Sequence, residues 1–518
     1  MKFNKVIESK SNTVFTIIDN KEIMITDLIT IKNMKLKMKT LTSIAFGGII
    51  LLTGCNTNKY EVTEWRQSTT NETWQVVGQN SQNIEQPGKT FRIDPTSSQQ
   101  VIDGFGGCFN ELGWDALNIV DSTDREAVLE ELFAPNTGGV KFTICRMPIG
   151  ANDFARDFYS LNDTPGDFAM ENFNIDRDKT SLIPYIKRAM VYNPDLKIWG
   201  SPWSPPAWMK TNNHYACRSA EVNDLPVDRQ GEENVTQFIM EPEYLEAYAL
   251  YFSKYVEAYH NEGIPVYAVH VQNEPNSCQN FPSCIWAAQD LGRFIAGYLG
   301  PKFKETHPDV EIWLGTIERP DIERVAAVLE NNNARQYITG VGFQWAGKGA
   351  IPFVNLAYPH LKLMQTETEC GNGWLPWSEN AQNDWAALEY TFHLMEHYFS
   401  HGANSYLYWN MVLDETGKST WSWKQNSMIT INSESGEITY NPEFYLMKHF
   451  SHYIKPGALK LDVKNDGQFL AFKNPDNSIV IQYYNSMDNE ETVKFSIEEQ
   501  DIAFKLKPKS LNTLVLNK

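Results

Sequence analysis

Short apolar runs alternate with longer amphipathic stretches between about residue 105 and residue 410. This alternation is typical of repeated strand–helix units, in which parallel strands form a sheet and the helices pack outside it. Eight apolar runs have the length of strands: 105–108, 142–147, 196–200, 266–272, 311–315, 341–344, 362–366 and 406–410. Because eight strands close a (β/α)8 barrel, the sequence predicts a TIM barrel rather than an open sheet.

Both flanks of this region have a different pattern, in which apolar and polar residues alternate and turn residues recur. Residues 469–485 and 491–508 show this pattern clearly, and a similar stretch precedes the barrel. Alternation with a period of two is typical of antiparallel strands that are buried on one face. The sequence therefore predicts an α/β fold with a catalytic barrel at 101–446 and an attached β-sandwich side domain built from both chain ends, 56–100 and 447–518.

Three helices inside the barrel region can be placed from sequence. Residues 243–260 and 384–399 have the spacing of long amphipathic helices. A third helix is expected at AVLEELF, because Thr123 and Glu126 stand before it in the positions of a capping box, with Thr123 as the N-cap.

The N-terminal region has the features of a bacterial export signal. Lysines between residues 35 and 39 precede an apolar run at 41–52, which is too short to span a bilayer comfortably and ends in Thr-Gly-Cys at Cys55. This ending resembles a lipobox, whose cysteine receives the lipid of a lipoprotein. We expect an upstream extension at 1–33 that is absent from the mature protein, a signal peptide at 34–55, and a secreted outer-membrane lipoprotein. An ordinary signal peptide with a chance cysteine is the alternative.

Composition limits the kind of partner. The 518 residues exceed what one hydrophobic core usually serves, in agreement with a large domain and a smaller one. A net charge of -19 argues against nucleic acid and anionic membranes, so membrane contact is expected only through a lipid on Cys55. The 15 Trp, 23 Tyr and 27 Phe exceed what packing needs, so some are expected to bind a neutral ligand. A monomer is expected.

The remaining six cysteines carry no predicted chemistry. Their spacing matches no zinc signature, and the ten histidines show no ligand spacing either. Cys278 and Cys284 flank a short loop and can form a disulfide in an oxidising compartment, but free buried thiols are the alternative. Since no phosphate-binding loop follows any strand, neither a metal nor an organic cofactor is expected.

A barrel carries its chemistry on the loops at the carboxyl ends of its strands. Here these ends are rich in polar and aromatic residues. One glutamate, Glu274, follows the fourth predicted strand within Asn-Glu-Pro, and another, Glu367, follows the seventh within Thr-Glu-Thr-Glu. We therefore expect Glu274 and Glu367 to face each other across the mouth of the barrel.

Two facing carboxyl groups are what cleavage of a glycosidic bond needs. One must be protonated to donate to the leaving oxygen, and the other must be ionised to attack carbon or to activate water. A separation of about 5 to 5.5 Å is typical of retaining enzymes and about 6.5 to 9.5 Å of inverting ones. An ionised Glu367 would raise the pKa of Glu274, and Arg146, after the second strand, is a candidate for keeping Glu367 charged.

Each motif also has an ordinary structural interpretation. Asn-Glu-Pro is short enough to arise by chance at the start of a helix. In an edge strand Glu367 and Glu369 would point to the same side, so the choice between them stays open at this point. His270 is expected to be a hydrogen-bonded core residue rather than a base.

Four tryptophans lie near strand ends, where they suggest stacking platforms for sugar rings, although each alone is more often a core residue. They are Trp203, Trp208, Trp345 and Trp409.

Several motifs in the same order resemble glycoside hydrolase family 30. They are GFGGCFNELGWDAL, RMPIGANDF, SPWSPPAWMKTN, VQNEPN, TETECG, YWNMVLD and FYLMKHFSHYIKPGA, which together span nearly the whole mature chain. The resemblance implies a barrel with a β-sandwich, with Glu274 as the acid/base. It implies Glu367 as the nucleophile, because the family's nucleophile follows a Ser or Thr and Thr366 precedes Glu367. Asn273 would then bind the sugar 2-hydroxyl.

The same resemblance implies further contacts with the substrate. Four residues match positions that line the first sugar subsite, namely Arg146, Asp153, Trp203 and Trp409. Where the family's glucosylceramidases have His-Trp-Tyr after the sixth strand, this chain has Gln344-Trp345-Ala346, which argues against a ceramide-type aglycone. Trp345, with Trp374 and Trp377, would hold further glucose units.

The function expected from this resemblance is retaining hydrolysis of β-1,6-glucan, as in the family's bacterial endo-β-1,6-glucanase branch. A glucosylceramidase, β-glucosidase or xylanase of the same family is the enzymatic alternative. A non-catalytic glycan-binding surface lipoprotein is the alternative from another class, and the presence of both Glu274 and Glu367 argues against it.

Overall fold

The computed structural model describes most of the chain between residues 59 and 518. The described residues are 59–78, 88–370, 383–463 and 469–518, with the backbone of an antiparallel hairpin, Thr16–Ile18 and Lys21–Ile23. That hairpin belongs to a separate compact unit, residues 1–57, whereas the barrel and its side domain belong to residues 58–518. The predicted lipid site Cys55, and the predicted platforms Trp374 and Trp377, lie outside the described residues.

Eight parallel strands close into a barrel, as predicted. In chain order they are Gly104–Cys108, Ile144–Pro148, Lys197–Ser201, Val266–His270, Glu311–Ile317, Ile338–Gln344, Lys362–Glu367 and Ser405–Asn410. We refer to them as barrel strands one to eight. Each overlaps one predicted strand, because a fully buried parallel strand produces a short continuous apolar run that is visible in the sequence.

Helices surround the barrel. They are Glu111–Leu117, Ser122–Phe133, Leu182–Tyr192, Pro242–Asn261, Ala288–Phe294, Gly300–Thr306, Ile322–Leu329, Asn332–Arg335, Ile351–Ala357, Trp385–Ser400 and Pro442–Ser451. The three predicted helices are present, but the predicted capping box is wrong. Asp121 is the N-cap, and its carboxylate accepts the N–H groups of Thr123 and Asp124. Within the described residues no helix combines the length and apolar character needed to cross a bilayer.

The side domain contains strands from both chain ends, as predicted, and nine strands of the described residues form one continuous sheet. From edge to edge its strands are Gln500–Leu506, Glu491–Ile497, Lys89–Val101, Leu459–Val463, Phe469–Lys473, Ile479–Asn485, Ser510–Asn517, Glu61–Thr69 and Gln75–Val76. Trp65 and Phe504 lie near opposite edges, yet their rings are 5.3 Å apart. The sheet therefore curls over a shared apolar core, which gives the sandwich. The predicted boundary at 447 falls inside the helix Pro442–Ser451.

A small three-stranded sheet continues from the eighth barrel strand. It consists of Val412–Asp414, Ile429–Ile431 and Ile438–Tyr440. The loop between its first two strands contains Trp423 and Gln425, which reach the mouth of the barrel.

The inside of the barrel below the mouth is an apolar layer. Ile144, Trp199, Trp313 and other residues form this cluster. His270 stacks between the two tryptophan rings, with centroids 3.9 and 5.1 Å away. It is a core residue, as predicted, but neither ring nitrogen has a hydrogen-bond partner in the described structure, so the predicted hydrogen bonding is wrong.

The six cysteines between residues 108 and 370 are all free and buried. The disulfide considered for Cys278 and Cys284 is not formed. Cys278 instead belongs to a small apolar cluster with Cys217 and Ile285.

Candidate active site

A cavity of about 370 Å³ opens at the carboxyl ends of the barrel strands. It contains both predicted carboxyl groups. Its lining residues are Asp153, Trp203, Arg218, Asn273, Glu274, Ser277, Gln279, Phe281, Glu318, Arg319, Trp345, Ala346, Lys348, Glu367, Glu369, Trp423 and Gln425. This position is where a TIM barrel places its chemistry.

The two carboxyl groups are held by one side-chain amide. Gln344, the last residue of the sixth barrel strand, donates from Nε2 to Glu274 Oε1 at 3.0 Å and to Glu367 Oε2 at 3.1 Å. Two bonds of this length from one nitrogen keep the two oxygens within about 6.1 Å of each other. This upper bound lies below the separation of about 6.5 to 9.5 Å that is typical of inverting enzymes.

Arg146 is the fixed cation of the site. It is fully buried on the second barrel strand, and its guanidinium lies 4.3 Å from the ring centre of Trp203. Its Nη1 donates to Glu367 Oε2 at 3.1 Å, and its Nη2 donates to Asn273 Oδ1 at 2.6 Å. The guanidinium therefore pairs with Glu367, as predicted, and also orients the residue next to Glu274.

The structure separates Glu367 from Glu369. Glu367 Oε1 accepts the indole N–H of Trp345 at 2.8 Å, so both of its oxygens are bonded within the cavity. Glu369 instead accepts from Lys348 and from the hydroxyl of Tyr390, each at 2.5 Å. The seventh strand ends at Glu367, so the period of two no longer applies beyond it. Of these two glutamates in the described structure, only Glu367 shares a hydrogen-bond donor, Gln344 Nε2, with Glu274.

Two residues of the site adopt left-handed backbone conformations. Glu274 has φ of 47° and Trp345 has the same value. Such a conformation costs a residue with a side chain about 1 to 3 kcal/mol and persists only where surrounding contacts enforce it. The backbone N–H of Glu274 donates to Thr316 O at 3.1 Å, which helps to hold this turn.

Burial raises the pKa of both carboxyl groups, but their surroundings differ. For Glu367 the nearby charge of Arg146 opposes the effect of burial most strongly. For Glu274 the hydrogen bond from Gln344 opposes the effect of burial on the pKa most strongly. No cation of the described structure is within ion-pair distance of Glu274. When the two groups hold one proton, the arrangement therefore favours that proton on Glu274 and the charge on Glu367.

Comparison with known families agrees with this geometry. The glycosyl hydrolase family 30 TIM-barrel domain matches residues 102–454, and the family 30 beta sandwich domain matches residues 457–514. The chain belongs to glycosyl hydrolase family 30. It is therefore a glycoside hydrolase, as its sequence predicts.

Relatives within family 30 differ in substrate. The chain is 26% identical to the lysosomal acid glucosylceramidase of Mus musculus, over 83% of each protein. It is 28% identical to an endo-1,6-beta-D-glucanase of Aspergillus fumigatus, over 77% of this chain and 81% of the relative. A solved endo-beta1,6-glucanase has the same fold, with a TM-score of 0.75 and 24% identity over 88% of this chain and 99% of that one.

The other predicted family 30 subsite residues divide into two groups. Asp153, Trp203, Asn273 and Trp345 line the cavity. Asp153 is 3% exposed and its Oδ1 has no hydrogen-bond partner in the described structure, so it can accept from a bound hydroxyl. Burial and then the charge of Glu367 raise the pKa of Asp153.

The second group lies below or beside the cavity. Arg146, Gln344 and Trp409 are fully buried beneath it and do not line it. Trp208 packs against Phe168 and donates its indole N–H to Asn162 O, so it is a core residue rather than a platform.

Sequence reasoning missed part of the family 30 cavity. Glu318 and Arg319 line it directly after the fifth barrel strand, where the same strand-end rule finds them. Phe281, Trp423 and Gln425 come from long loops, and no local pattern marks them.

Proposed function

We propose that this family 30 protein is a retaining endo-β-1,6-glucanase. The observation that carries the proposal is the shared donor, Gln344 Nε2, which brings the carboxyl groups of Glu274 and Glu367 to a separation below the inverting range. Retention needs no space for water between the two groups, because one of them attacks the sugar itself.

The chemistry follows from the surroundings of the two groups. Glu367, kept anionic by Arg146, attacks the anomeric carbon while Glu274 gives its proton to the leaving oxygen. Glu274 then removes a proton from water, which displaces Glu367 and releases a sugar of unchanged configuration. Asn273 supports this role, because its Oδ1 accepts from Arg146 and Thr316 and its amide N–H groups can donate to the sugar 2-hydroxyl.

The choice of β-1,6-glucan rests on two further points. Ala346 lines the cavity at a position where the glucosylceramidases of the family have tyrosine. Because alanine is the smaller residue, the side of the cavity that follows the sixth barrel strand is lower here than in those enzymes. Beyond it, Trp345 and Trp423 lie with ring centres 6.3 Å apart, and both line the cavity, as aromatic platforms for sugar rings do. Relatives named as endo-1,6-beta-D-glucanases, from Neurospora crassa and Aspergillus fumigatus, align over 77% of this chain.

Product analysis tests both parts of the proposal. Purified protein is incubated with pustulan, a β-1,6-glucan, and the first-formed anomer is followed by proton NMR. We expect β-configured oligosaccharides of several lengths. A first product in the α configuration contradicts the mechanism. Cleavage of xylan, glucosylceramide or 4-nitrophenyl β-glucoside without cleavage of pustulan contradicts the substrate.

We also propose that the protein is anchored to the outer membrane through Cys55. The support is the apolar run ending in Thr-Gly-Cys. Metabolic labelling with a tagged fatty acid should mark the wild type and not the Cys55→Ala variant. Equal labelling of both proteins contradicts the proposal.

A further inference from the structure

Three amide side chains form a hydrogen-bonded chain that ends at the wall of the cavity. Asn110 Nδ2 donates to Asn410 Oδ1 at 3.0 Å, and Asn410 Nδ2 donates to Gln425 Oε1 at 3.0 Å. All three side chains are buried, and of the three only Gln425 lines the cavity. We refer to these three residues as the amide chain. The catalytic steps proposed above do not use it.

Backbone groups fix the direction of the amide chain. The oxygen and nitrogen of an amide side chain can exchange places by rotation, so the direction must be set by partners that cannot rotate. The backbone N–H of Gly113 donates to Asn110 Oδ1 at 2.6 Å, which is the N-cap contact of the helix Glu111–Leu117. The nitrogen of Asn110 therefore faces Asn410. The backbone oxygen of Asn426, which can only accept, lies 3.4 Å from Asn410 Nδ2 and requires the same direction.

The amide chain leaves the nitrogen of Gln425 for a ligand. Because Gln425 Oε1 accepts from Asn410, Nε2 is the other end of the side-chain amide, and it has no hydrogen-bond partner in the described structure. The backbone N–H of Gln425 donates to Gly417 O at 2.9 Å, which holds this part of the loop. Since Gln425 lines the cavity, its Nε2 can donate to a group that is bound there.

The place of the amide chain in the barrel indicates which part of a sugar it faces. Asn410 ends the eighth barrel strand, and Glu274 follows the fourth. These strands are four places apart in a closed ring of eight, so they lie on opposite sides of the mouth. Glu274, as the proposed acid/base, acts at the oxygen on C1, and C4 lies directly across a pyranose ring from C1. Gln425 therefore faces the side of the sugar that carries the 4-hydroxyl, which is free in β-1,6-glucan.

We propose that Gln425 donates from Nε2 to the 4-hydroxyl of the glucose held between Glu274 and Glu367. Asn110 and Asn410 are positioning residues that keep this donor directed at the sugar. This assignment rests on the proposed function, because the acid/base role of Glu274 sets the orientation of the sugar. The 4-hydroxyl is equatorial in glucose and axial in galactose, so the amide chain contributes to selection of glucose over galactose.

Binding of two imino sugars tests the contact. 1-Deoxynojirimycin and 1-deoxygalactonojirimycin have the shapes of glucose and galactose and differ only in configuration at C4. Their dissociation constants are measured by calorimetry, which does not depend on activity. Gln425→Met keeps the length of the side chain and removes the donor. We expect the dissociation constant of 1-deoxynojirimycin to rise about tenfold, as for loss of one hydrogen bond, and that of the galactose analogue to change less than twofold.

Gln279→Met is the matched control, because it is the same change at another glutamine of the cavity wall. Gln279 follows the fourth strand, on the side of Glu274, and its Nε2 already donates to Ser277. Any effect of this variant should therefore be equal for the two imino sugars.

Asn110→Ser tests the amide chain without a change in the cavity wall. Serine can still accept from Gly113 as an N-cap, but it has no amide to orient Asn410. We expect weaker binding of 1-deoxynojirimycin with a smaller factor than in Gln425→Met, and no further selective loss when the two changes are combined. A residue that only stabilises the fold would not change the preference between the two imino sugars. This variant also provides the test if Gln425→Met does not fold.

Three results overturn the assignment. They are unchanged binding of 1-deoxynojirimycin in folded Gln425→Met, or in Asn110→Ser if the first variant does not fold; an equal loss for both imino sugars; and failure of the wild type to bind 1-deoxynojirimycin. Failure of the proposed function is a different observation, because it is full hydrolytic activity of Glu274→Gln. The two failures are therefore distinguishable.

Discussion

Two layers of the barrel differ in chemistry although the same strands build them. Ile144, Trp199 and Met364 lie in the lower, apolar layer. Two residues further along two of these strands, Arg146 and Thr366 lie in the upper layer, where they take part in a dense hydrogen-bond network. Since successive inward positions on a strand are two residues apart, the change from apolar to charged takes place over about 7 Å.

This comparison shows what the lower layer contributes to the upper one. The ring centre of Trp199, in the lower layer, lies 5.1 Å from the Arg146 guanidinium. An apolar floor excludes water from below, so the attraction between Arg146 and Glu367 is stronger than it is in solvent. The charged groups lie in the upper layer, whereas the lower layer holds the imidazole of His270 without a hydrogen bond. Burial lowers the pKa of His270, which keeps that ring neutral.

The largest expected effect is loss of the nucleophile from the upper layer. Glu367→Gln removes the attacking anion but keeps the shape and can still accept from Trp345, so kcat should fall by about four powers of ten. Steady-state kinetics with the melting temperature as a folding check will measure this.

Glu369→Gln is the matched comparison, because it is the same change two residues away. It loses bonds only to Lys348 and Tyr390, so we expect kcat within about tenfold of wild type. If Glu369→Gln is inactive while Glu367→Gln keeps its activity, the nucleophile has been assigned to the wrong glutamate.

A smaller effect is expected when the cation of the upper layer is weakened. Burial raises the pKa of Glu367 to about 7, and the charge of Arg146 opposes this. Arg146→Lys loses the forked contact with Glu367 and Asn273, so the pKa of Glu367 should rise further. Because the nucleophile works only as an anion, the acidic limb of kcat/KM should move about one pH unit upward.

Ser201→Ala is the control for this change. It removes only the acceptor of Arg146 Nε, 3.1 Å away, and leaves the guanidinium charge in place. Its acidic limb should therefore move less than that of Arg146→Lys. Equal shifts in both variants would indicate that orientation of Arg146, and not its charge contact, controls Glu367.

The fold was predictable from sequence where the signal is local. Each barrel strand corresponds to a short apolar run in the sequence. Because polar residues follow the strand ends, Glu274 and Glu367 could be predicted as the two facing glutamates. The predicted N-cap of the helix Ser122–Phe133 was wrong because Asp121 and Thr123 both fit the local sequence pattern. Only the backbone geometry selects Asp121 as the N-cap.

Side-chain direction was not predictable in the same way. Trp203 and Trp208 both follow the third strand, yet only Trp203 lines the cavity. The difference arises from the course of the loop after Ser201, which depends on contacts with residues far away in sequence, such as Asn162. Trp423 comes from a loop after the barrel closes, so its position depends on the assembled fold.

The smallest expected effect concerns His270 in the lower layer. An imidazole without hydrogen bonds costs about 1 to 3 kcal/mol when buried, so His270→Leu should raise the free energy of unfolding by about 1 kcal/mol at pH 7.5. The kcat should stay within about twofold, because His270 does not line the cavity. Urea unfolding and steady-state kinetics measure the two quantities.

The higher free energy of unfolding of His270→Leu can arise from removal of an unpaired imidazole or from better packing alone. The dependence of this stability gain on pH distinguishes the two causes. Burial lowers the pKa of His270 well below 6.5 in the folded protein, whereas the unfolded chain binds a proton near pH 6.5. Wild type therefore loses stability as the pH falls below 6.5, and the advantage of His270→Leu should grow by about 2 kcal/mol between pH 7.5 and pH 5.0. His360→Gln, at an exposed histidine, should show no such growth. An advantage of equal size at both pH values would mean that the imidazole ring finds a proton partner inside the folded barrel.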